Sequence, residues 1–399
     1  MKTWIISELF YPEEISTGYV MTKIAEKISD KSEVNVICGP SNYESNIFTS
    51  SKSISDKIII HRVSVPSLNK NNLVLRTLKM FLLTIKVGWK VIRNVRREDK
   101  VILVTNPPSL LLFISFLKKL LRFEYIIIVH DVFPENMVPA GIIKSNSLFY
   151  RVLLRVFNSA YNVADKLITV GVDMKSLVLN KVHKNKRVEV IQNWADSEEI
   201  YPLIDFDKNA FYNLNLSDKV ILQFAGNIGR VQGLDTFMEI FKQINNPNIV
   251  LIIIGEGALK NTLINMQKNN GVENVYFFNA KPRAEQIKFL NACDIGLITL
   301  SKGMYGLGVP SKVYNVLAAG KPILFIGDKD AEISLYIKNN NCGWAFTWED
   351  KEKIIDFLNK LNLSYIDIIK NKGKNARSLV DQSFTQDIIL EKYKKALVE

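Results

Sequence analysis

The chain has 399 residues, 47% hydrophobic and 23% charged, with 52 Lys and Arg against 40 Asp and Glu, which predicts a globular protein of two domains, each large enough for its own core. The three cysteines, Cys38, Cys293 and Cys342, are odd in number and lack CxxC or Cys/His spacing, which excludes a disulfide framework and a zinc site and fits a reducing cytosol. The net charge of +12 belongs to the first half, since residues 1–190 hold 28 basic and 16 acidic side chains and residues 191–399 hold 24 of each, so an acidic partner is expected there.

The chain opens on a strand-like run at 3–7 rather than a basic, apolar leader, and reads as having no signal peptide. The longest apolar stretch, near Leu110 to Leu117, stops at Lys118-Lys119, short of the about 18 residues a membrane span needs. Further strands are predicted at 33–38, 58–63, 100–105, 125–129, 167–170 and 188–191, with helical segments between them. After the first strand comes Pro12-Glu-Glu-Ile-Ser-Thr-Gly18. Its Ser16, Thr17 and Gly18 allow close backbone approach to a ligand before a helix at 19–29, and a plain helix-capping loop explains them equally well.

Residues 73–97 hold seven basic and no acidic side chains. At 100° per residue Arg76, Lys79, Lys86, Lys90, Arg93 and Arg97 share a face, and Met80, Val87, Val91 and Val95 occupy another, with Phe81 and Ile92 at its margin. This basic amphipathic helix suits an anionic membrane surface, or packs its apolar stripe on a sheet with solvated lysines outside. No known nucleic-acid-binding module accompanies these basic residues, so no nucleic-acid partner is expected. The strand at 125–129 ends in His130-Asp-Val-Phe-Pro-Glu135, where an imidazole can orient or deprotonate a hydroxyl and Asp131 can fix its tautomer. A merely hydrogen-bonded structural histidine is the alternative.

The polar segment Asn193-Trp-Ala-Asp-Ser-Glu-Glu-Ile-Tyr-Pro202 reads as a linker. Beyond it the alternation resumes, with strands at 220–225, 249–254, 275–278, 295–300, 323–326 and 343–346. Unbroken apolar strands alternating with helices imply two doubly wound parallel sheets, with ligands beyond the strand carboxyl ends. Three features there suit a phosphate. Gly226-Asn-Ile-Gly-Arg-Val-Gln-Gly233 is a turn that brings amides and Arg230 together; Gly255-Glu256-Gly257 and Ala280-Lys-Pro-Arg283 close the next two strands. Gly308-Val-Pro-Ser-Lys-Val-Tyr-Asn-Val-Leu-Ala-Ala-Gly-Lys-Pro322 reads as a loop entering a short helix, an anion site reinforced by Lys312 or an ordinary loop and helix. No P-loop, HExxH, GxSxG or DxD occurs, so NTP hydrolysis, metal chemistry and acyl-enzyme chemistry lack support.

In order, Tyr11-Pro12, Ser16-Thr-Gly18, Asn106-Pro-Pro108, His130-Asp-Val-Phe-Pro-Glu135, Asn193-Trp-Ala-Asp196, the glycine turn, Gly255-Glu-Gly257 and the 310–322 segment resemble the family-4 glycosyltransferases, retaining enzymes of the GT-B fold. The likeness covers nearly the whole chain and is greatest to the branch that builds bacterial surface polysaccharides, O-antigen and capsule among them. It implies an N-terminal acceptor domain at 1–195, onto which the helix at 380–399 crosses back, and a C-terminal nucleotide-sugar domain at 196–379. The implied donor is a nucleotide sugar, UDP-linked and hexosyl or N-acetylhexosaminyl, with no metal and no further cofactor.

The resemblance also implies roles. Diphosphate would lie on Gly226, Asn227, Gly229 and Arg230 and at Ser311 and Lys312, with Gly255, Glu256 and Gly257 nearby. Base and ribose would meet Lys281, Arg283 and Asn315; the donor sugar would meet Gly308, Val309 and Pro310. The acceptor, a lipid-linked saccharide, would face Ser16, Thr17, Gly18, His130 and Asp131 on a cytoplasmic enzyme peripheral to the inner membrane face. His130, Asp131 and Arg230 are the implied catalytic group. Two glutamates usual in the family match Leu307 and Asn315 here, with Glu332 the candidate replacement carboxylate, and the usual lysine of the glycine turn matches Gln232, leaving Arg230 as its substitute. A non-hydrolysing sugar-nucleotide epimerase and an inactive GT-B subunit that binds nucleotide sugar or a partner enzyme are the alternatives.

Overall fold

A computed structural model describes residues 1–14, 16–41, 53–66 and 73–398. Thirteen strands are found among them. The first seven, β1 (Thr3–Ser7), β2 (Val34–Cys38), β3 (Ile58–Arg62), β4 (Lys100–Val104), β5 (Glu124–Val129), β6 (Lys166–Thr169) and β7 (Arg187–Val190), form one sheet in the order β3-β2-β1-β4-β5-β6-β7. The other six, β8 (Val220–Ala225), β9 (Ile249–Ile254), β10 (Val275–Phe278), β11 (Ile295–Thr299), β12 (Ile323–Ile326) and β13 (Gly343–Phe346), form a second in the order β10-β9-β8-β11-β12-β13. Every strand pair is parallel. β1, β2, β4, β9 and β11 are buried along their whole length, as their unbroken apolar sequences require when helices cover both faces.

The first-domain helices are α1 (Ser16–Ser29), α2 (Leu73–Asn94), α3 (Pro108–Leu121), α4 (Leu148–Val163) and α5 (Val172–Leu179). Those that follow are α6 (Lys208–Tyr212), α7 (Leu234–Phe241), α8 (Lys260–Asn269), α9 (Gln286–Asn291), α10 (Lys312–Ala318), α11 (Glu332–Asn340), α12 (Lys351–Lys360), α13 (Ile366–Ser383) and α14 (Gln386–Val398). Strand order reverses between β1 and β4 and again between β8 and β11, the switch points at which doubly wound sheets open a ligand crevice. α14 packs against α1; Lys100 and Lys166 donate to the Leu397 and Ala396 carbonyls at 2.6 and 2.8 Å.

α2 ends at Asn94 rather than Arg97, and its orientation revises the predicted faces. Leu83, Val87, Val91 and Val95 are buried, so the valine stripe packs inward. The outward side carries Leu78, Phe81, Ile85, Trp89 and Ile92, each more than 40% exposed. α3 packs between α2 and α4 and adds exposed Phe116 and Leu120, while α4 adds Leu148, Phe149, Val152 and Val156.

Candidate functional site

The two domains meet through specific bonds. Val132 N donates to Leu307 O at 3.1 Å, and Val172 N donates to Glu332 Oε2 at 2.7 Å. A buried cluster runs from the first sheet to the inner face of the second and includes Leu307, Val313 and Tyr314. Between the domains lies a cavity of about 400 Å³, bounded by α1, the linker, the ends of β8, β9 and β10, and α10.

The β8 and β9 ends form one unit. Gly226 N donates to Ile254 O at 2.9 Å, and Ile228 N to Glu256 O at 2.8 Å. Gly255 has φ +153°, and a Cβ there would stand 1.9 Å from Gly226 O, so only glycine lets the two loops close together. Gly226, at φ +140°, leaves its open side to Lys312, whose Nζ would be 3.8 Å from a Cβ at that position. Thus Gly255 and Gly257 support the glycine turn, and Gly226 and Asn227 line the cavity with Glu256. Gly229 sits beside the Asn227 side chain.

Lys312 is the notable charge in the cavity wall. Its Nζ is buried with no hydrogen-bond partner among the described residues and lies 3.1 Å from the Phe224 ring centroid. Burial pushes its pKa well below the ordinary lysine value. A buried amine whose nearest neighbours are an aromatic face and a glycine is set to gain strongly from an incoming anion. Ser311 also lines the cavity. Arg230 lies on the next turn, exposed and outside the cavity wall.

At the cavity's other end Lys281, Arg283, Gln286 and Asn315 meet Tyr19 and Asp196. Arg283 pairs with Asp196, and its guanidinium stacks 3.5 Å from the Tyr19 ring centroid. Lys281 is 3.4 Å from Glu285. Tyr19 and Asp196 were not singled out as site residues from the sequence, although Asp196 ends the Asn193-Trp-Ala-Asp196 motif; nothing in spacing reveals a bond between positions 177 apart.

Gly308, Val309 and Pro310, like His130 and Asp131, do not line this cavity, and the 308–310 loop packs against the first domain. Asp131 Oδ1 would be 3.4 Å from a Cβ on Gly308, and Val309 packs on Gly171; Pro310 follows at the start of the turn into α10. Burial lowers the His130 pKa to about 4, so its ring is neutral, and its Nε2 is buried with no partner among the described residues. Burial raises Asp131 to about 6 against a stabilising bond from Asn136. Thr17 and Gly18 lie in the first turn of α1, which begins at Ser16, three residues before the predicted start. Gly18 O accepts from Thr22 Oγ1 at 2.8 Å.

One assignment, Glu332, meets a different environment from the one expected. Glu332 is 1% exposed and does not line the cavity; it accepts from Val172 N, from Gln192 Nε2 at 3.3 Å and from the Tyr336 hydroxyl. Its carboxylate sits at the N-terminus of α5, where the helix dipole favours an anion, and so joins the domains. Leu307 is buried in the interdomain core. Among the described residues no cluster of three or more His, Cys, Asp or Glu side chains is placed to hold a metal. The cysteines are free and buried.

Two facing parallel-sheet, Rossmann-like domains with a cleft between them make this a GT-B fold. The chain belongs to the glycosyl transferases group 1, whose family signature matches residues 205–378. It is 34% identical over 396 residues to the probable glycosyltransferase WbjE of Pseudomonas aeruginosa, covering 98% of this chain and 96% of that one. It is 28% identical over 164 residues, 41% of this chain and 40% of the relative, to the putative colanic acid biosynthesis glycosyl transferase WcaI of Escherichia coli K12. Anabaena Alr3699/HepE, solved with UDP-glucose, superposes with a TM-score of 0.72 at 15% identity, over 100% of this chain and 99% of that one.

Proposed function

We propose that the protein is a retaining, metal-independent glycosyltransferase that moves a hexosyl or N-acetylhexosaminyl group from a UDP-sugar to a lipid-linked saccharide in surface-polysaccharide assembly, O-antigen or capsule. The observation that carries this reading is the buried, partnerless Lys312 amine facing Gly226 in the interdomain cavity. A diphosphate supplies the missing counter-charge, and Lys312 then stabilises it as it leaves, the work a divalent ion does elsewhere. The UDP-glucose complex of a protein sharing the fold and the colanic acid role in the name of a relative support the donor and the pathway class.

In this reading the acceptor hydroxyl approaches the anomeric carbon from the side of the leaving group. The bond from acceptor oxygen to anomeric carbon forms, the bond to the diphosphate oxygen breaks, and that oxygen takes the acceptor's proton. His130, neutral and with an unpaired buried nitrogen, orients the hydroxyl, and Asp131 stands beside the 308–310 loop to hold acceptor or sugar. Arg230, exposed beside the glycine turn, is assigned to the diphosphate. Ser16, Thr17 and Gly18 border the acceptor side.

The enzyme works at the inner face of the cytoplasmic membrane. The support is the outward apolar side of α2, α3 and α4 with exposed Lys86, Arg93, Lys119, Arg151 and Arg155 among it, a mixture that suits anionic lipid. No helix of the described residues is long and apolar enough to cross a membrane.

Calorimetric titration with UDP-, GDP-, dTDP- and CMP-sugars in the presence of EDTA tests the donor site. Tight binding of the UDP class is expected. Binding that requires a divalent ion, or preference for another base, contradicts the reading.

A further inference from the structure

Two helix starts, one in each domain, lack a cap of their own. α5 begins after Gly171 and α11 after Ala331, and neither residue supplies a side-chain bond to its helix. Each start is completed from the other domain. Glu332, the first residue of α11, accepts Val172 N at 2.7 Å, and Asp173, the second residue of α5, accepts Glu332 N through Oδ2 at 3.1 Å. The first amides of a helix have no partner within it and carry the positive end of its dipole, so a carboxylate suits both positions. Glu332 Oε1 also accepts Gln192 Nε2, from the segment after β7, at 3.3 Å, and the Tyr336 hydroxyl. Asp173 Oδ1 accepts Met174 N at 2.7 Å. Both carboxylates are buried, and neither lines the donor cavity.

The crossed caps reach the 306–310 loop through two glycines. A Cβ on Gly171 would stand 2.6 Å from Asp173 Oδ1, 2.8 Å from Val309 Cγ2 and 3.6 Å from Glu332 Oε2, so only a glycine lets both carboxylates and the loop come together there. Gly306 has φ +67°, and a Cβ on it would stand 2.9 Å from Asp173 O. The next residue, Leu307, accepts Val132 N at 3.1 Å, and Val132 directly follows His130 and Asp131. Closing the domains also carries a cost. Burial raises the Asp173 pKa and the Glu332 charge adds to the rise, while the Glu332 and Met174 amides oppose it. When the domains part, carboxylates and amides return to water and the repulsion between the two charges ends, so both the bonds and the cost exist only in the closed form.

We propose that Asp173 and Glu332 form a reciprocal latch, a pair of positioning residues that sets the 306–310 loop against His130 and Asp131 by capping each other's helix when the domains are together. The consequence for transfer rests on the nucleotide-sugar reading above, whereas the latch itself is a property of the chain alone. Two independent caps would each steady their own helix start and nothing further. A latch couples them to the other interdomain bonds, including the one from Val132 N to Leu307 O, which neither carboxylate makes.

Amide hydrogen exchange of the full chain, read by mass spectrometry on peptides that hold Val132, tests the latch, because exchange there follows the population of separated domains. Asp173→Ala and Glu332→Ala should each speed exchange at Val132 by ~5-fold or more, the effect of one lost cap. The double variant should exceed either, with β1 and β9 still protected as the sign that both sheets are intact. Gly171→Ala keeps both carboxylates but places a methyl between Asp173 and Val309; it should do the same, and it serves if the other variants do not fold. In all of them UDP binding by calorimetry should change less than ~3-fold while kcat of transfer falls by ~5-fold or more, since the donor pocket is untouched and only the alignment of the two domains is lost. Faster exchange confined to α5 and α11, or a wild-type rate at Val132, overturns the latch. Faster exchange at Val132 with kcat unchanged overturns its part in positioning. A wild type that binds no nucleoside diphosphate overturns the donor reading and with it the role in transfer, while the exchange measurement still decides the latch.

Discussion

Lys312 and Asp131 carry titrations that the geometry makes measurable. In the empty cavity burial disfavours the charged amine of Lys312, and a diphosphate beside it restores the charge, so binding should take up a proton wherever the pH lies above the lowered pKa of the free amine. Titrating UDP in two buffers of different ionisation enthalpy is expected to show an uptake that vanishes in Lys312→Gln; identical heats in both buffers would remove the amine from the phosphate site. Asp131 titrates at about 6 in the folded chain against an ordinary value of 3.8, so its ionised form costs stability as pH rises through 6. Asp131→Asn removes that cost. The variant should melt higher than wild type above pH 6, converge with it below pH 4, where both side chains are neutral, and lose most of its transferase activity. A constant offset across pH would mean that Asp131 is not held neutral by its surroundings.

Among the elements, the strands were readable from sequence because parallel strands buried on both faces become unbroken apolar runs: 220–225, 249–254, 275–278 and 323–326 match β8, β9, β10 and β12. α2 shows where such reading stops. It has two apolar stripes, Leu83, Val87, Val91 and Val95 on one and Phe81, Ile85, Trp89 and Ile92 on the other, and periodicity alone does not say which one the sheet will take. The sheet took the β-branched stripe and left the aromatic one outside, with Arg93 4.6 Å from the Trp89 ring. Phe81→Ser with Trp89→Ser should therefore reduce sedimentation with vesicles rich in anionic lipid by ~10-fold or more, and Lys86→Gln, Lys90→Gln and Arg93→Gln together should weaken it and remove its salt dependence. Unchanged sedimentation of both variants would make this an ordinary solvated surface. Of the proposed donor pocket, the glycine turn at Gly226 and the lysine at the start of α10 carried a signal in residue type. Tyr19 and Asp196 did not, because their contact depends on α1 and the linker meeting across the cleft.

At the scale of the whole molecule, the fold sets a buried, unpaired lysine at the wall of an interdomain cavity and joins the two domains through the 307–310 loop beside His130 and Asp131. The 307–310 loop is bonded to the first domain, and Glu332 fastens α11 to α5. On the proposed reading, a donor held by the second domain is set against His130 and Asp131 in the first, which is what group transfer between two substrates needs. The most direct measurement is to supply sugar-labelled UDP-sugars and a lipid extract from the source cell in EDTA, then follow the label. The account predicts label in the lipid fraction, one UDP released per sugar moved, and the anomeric configuration of the donor kept in the product. Label that stays in a free but altered nucleotide sugar, an inverted linkage, or no movement of label by protein that binds UDP would contradict it.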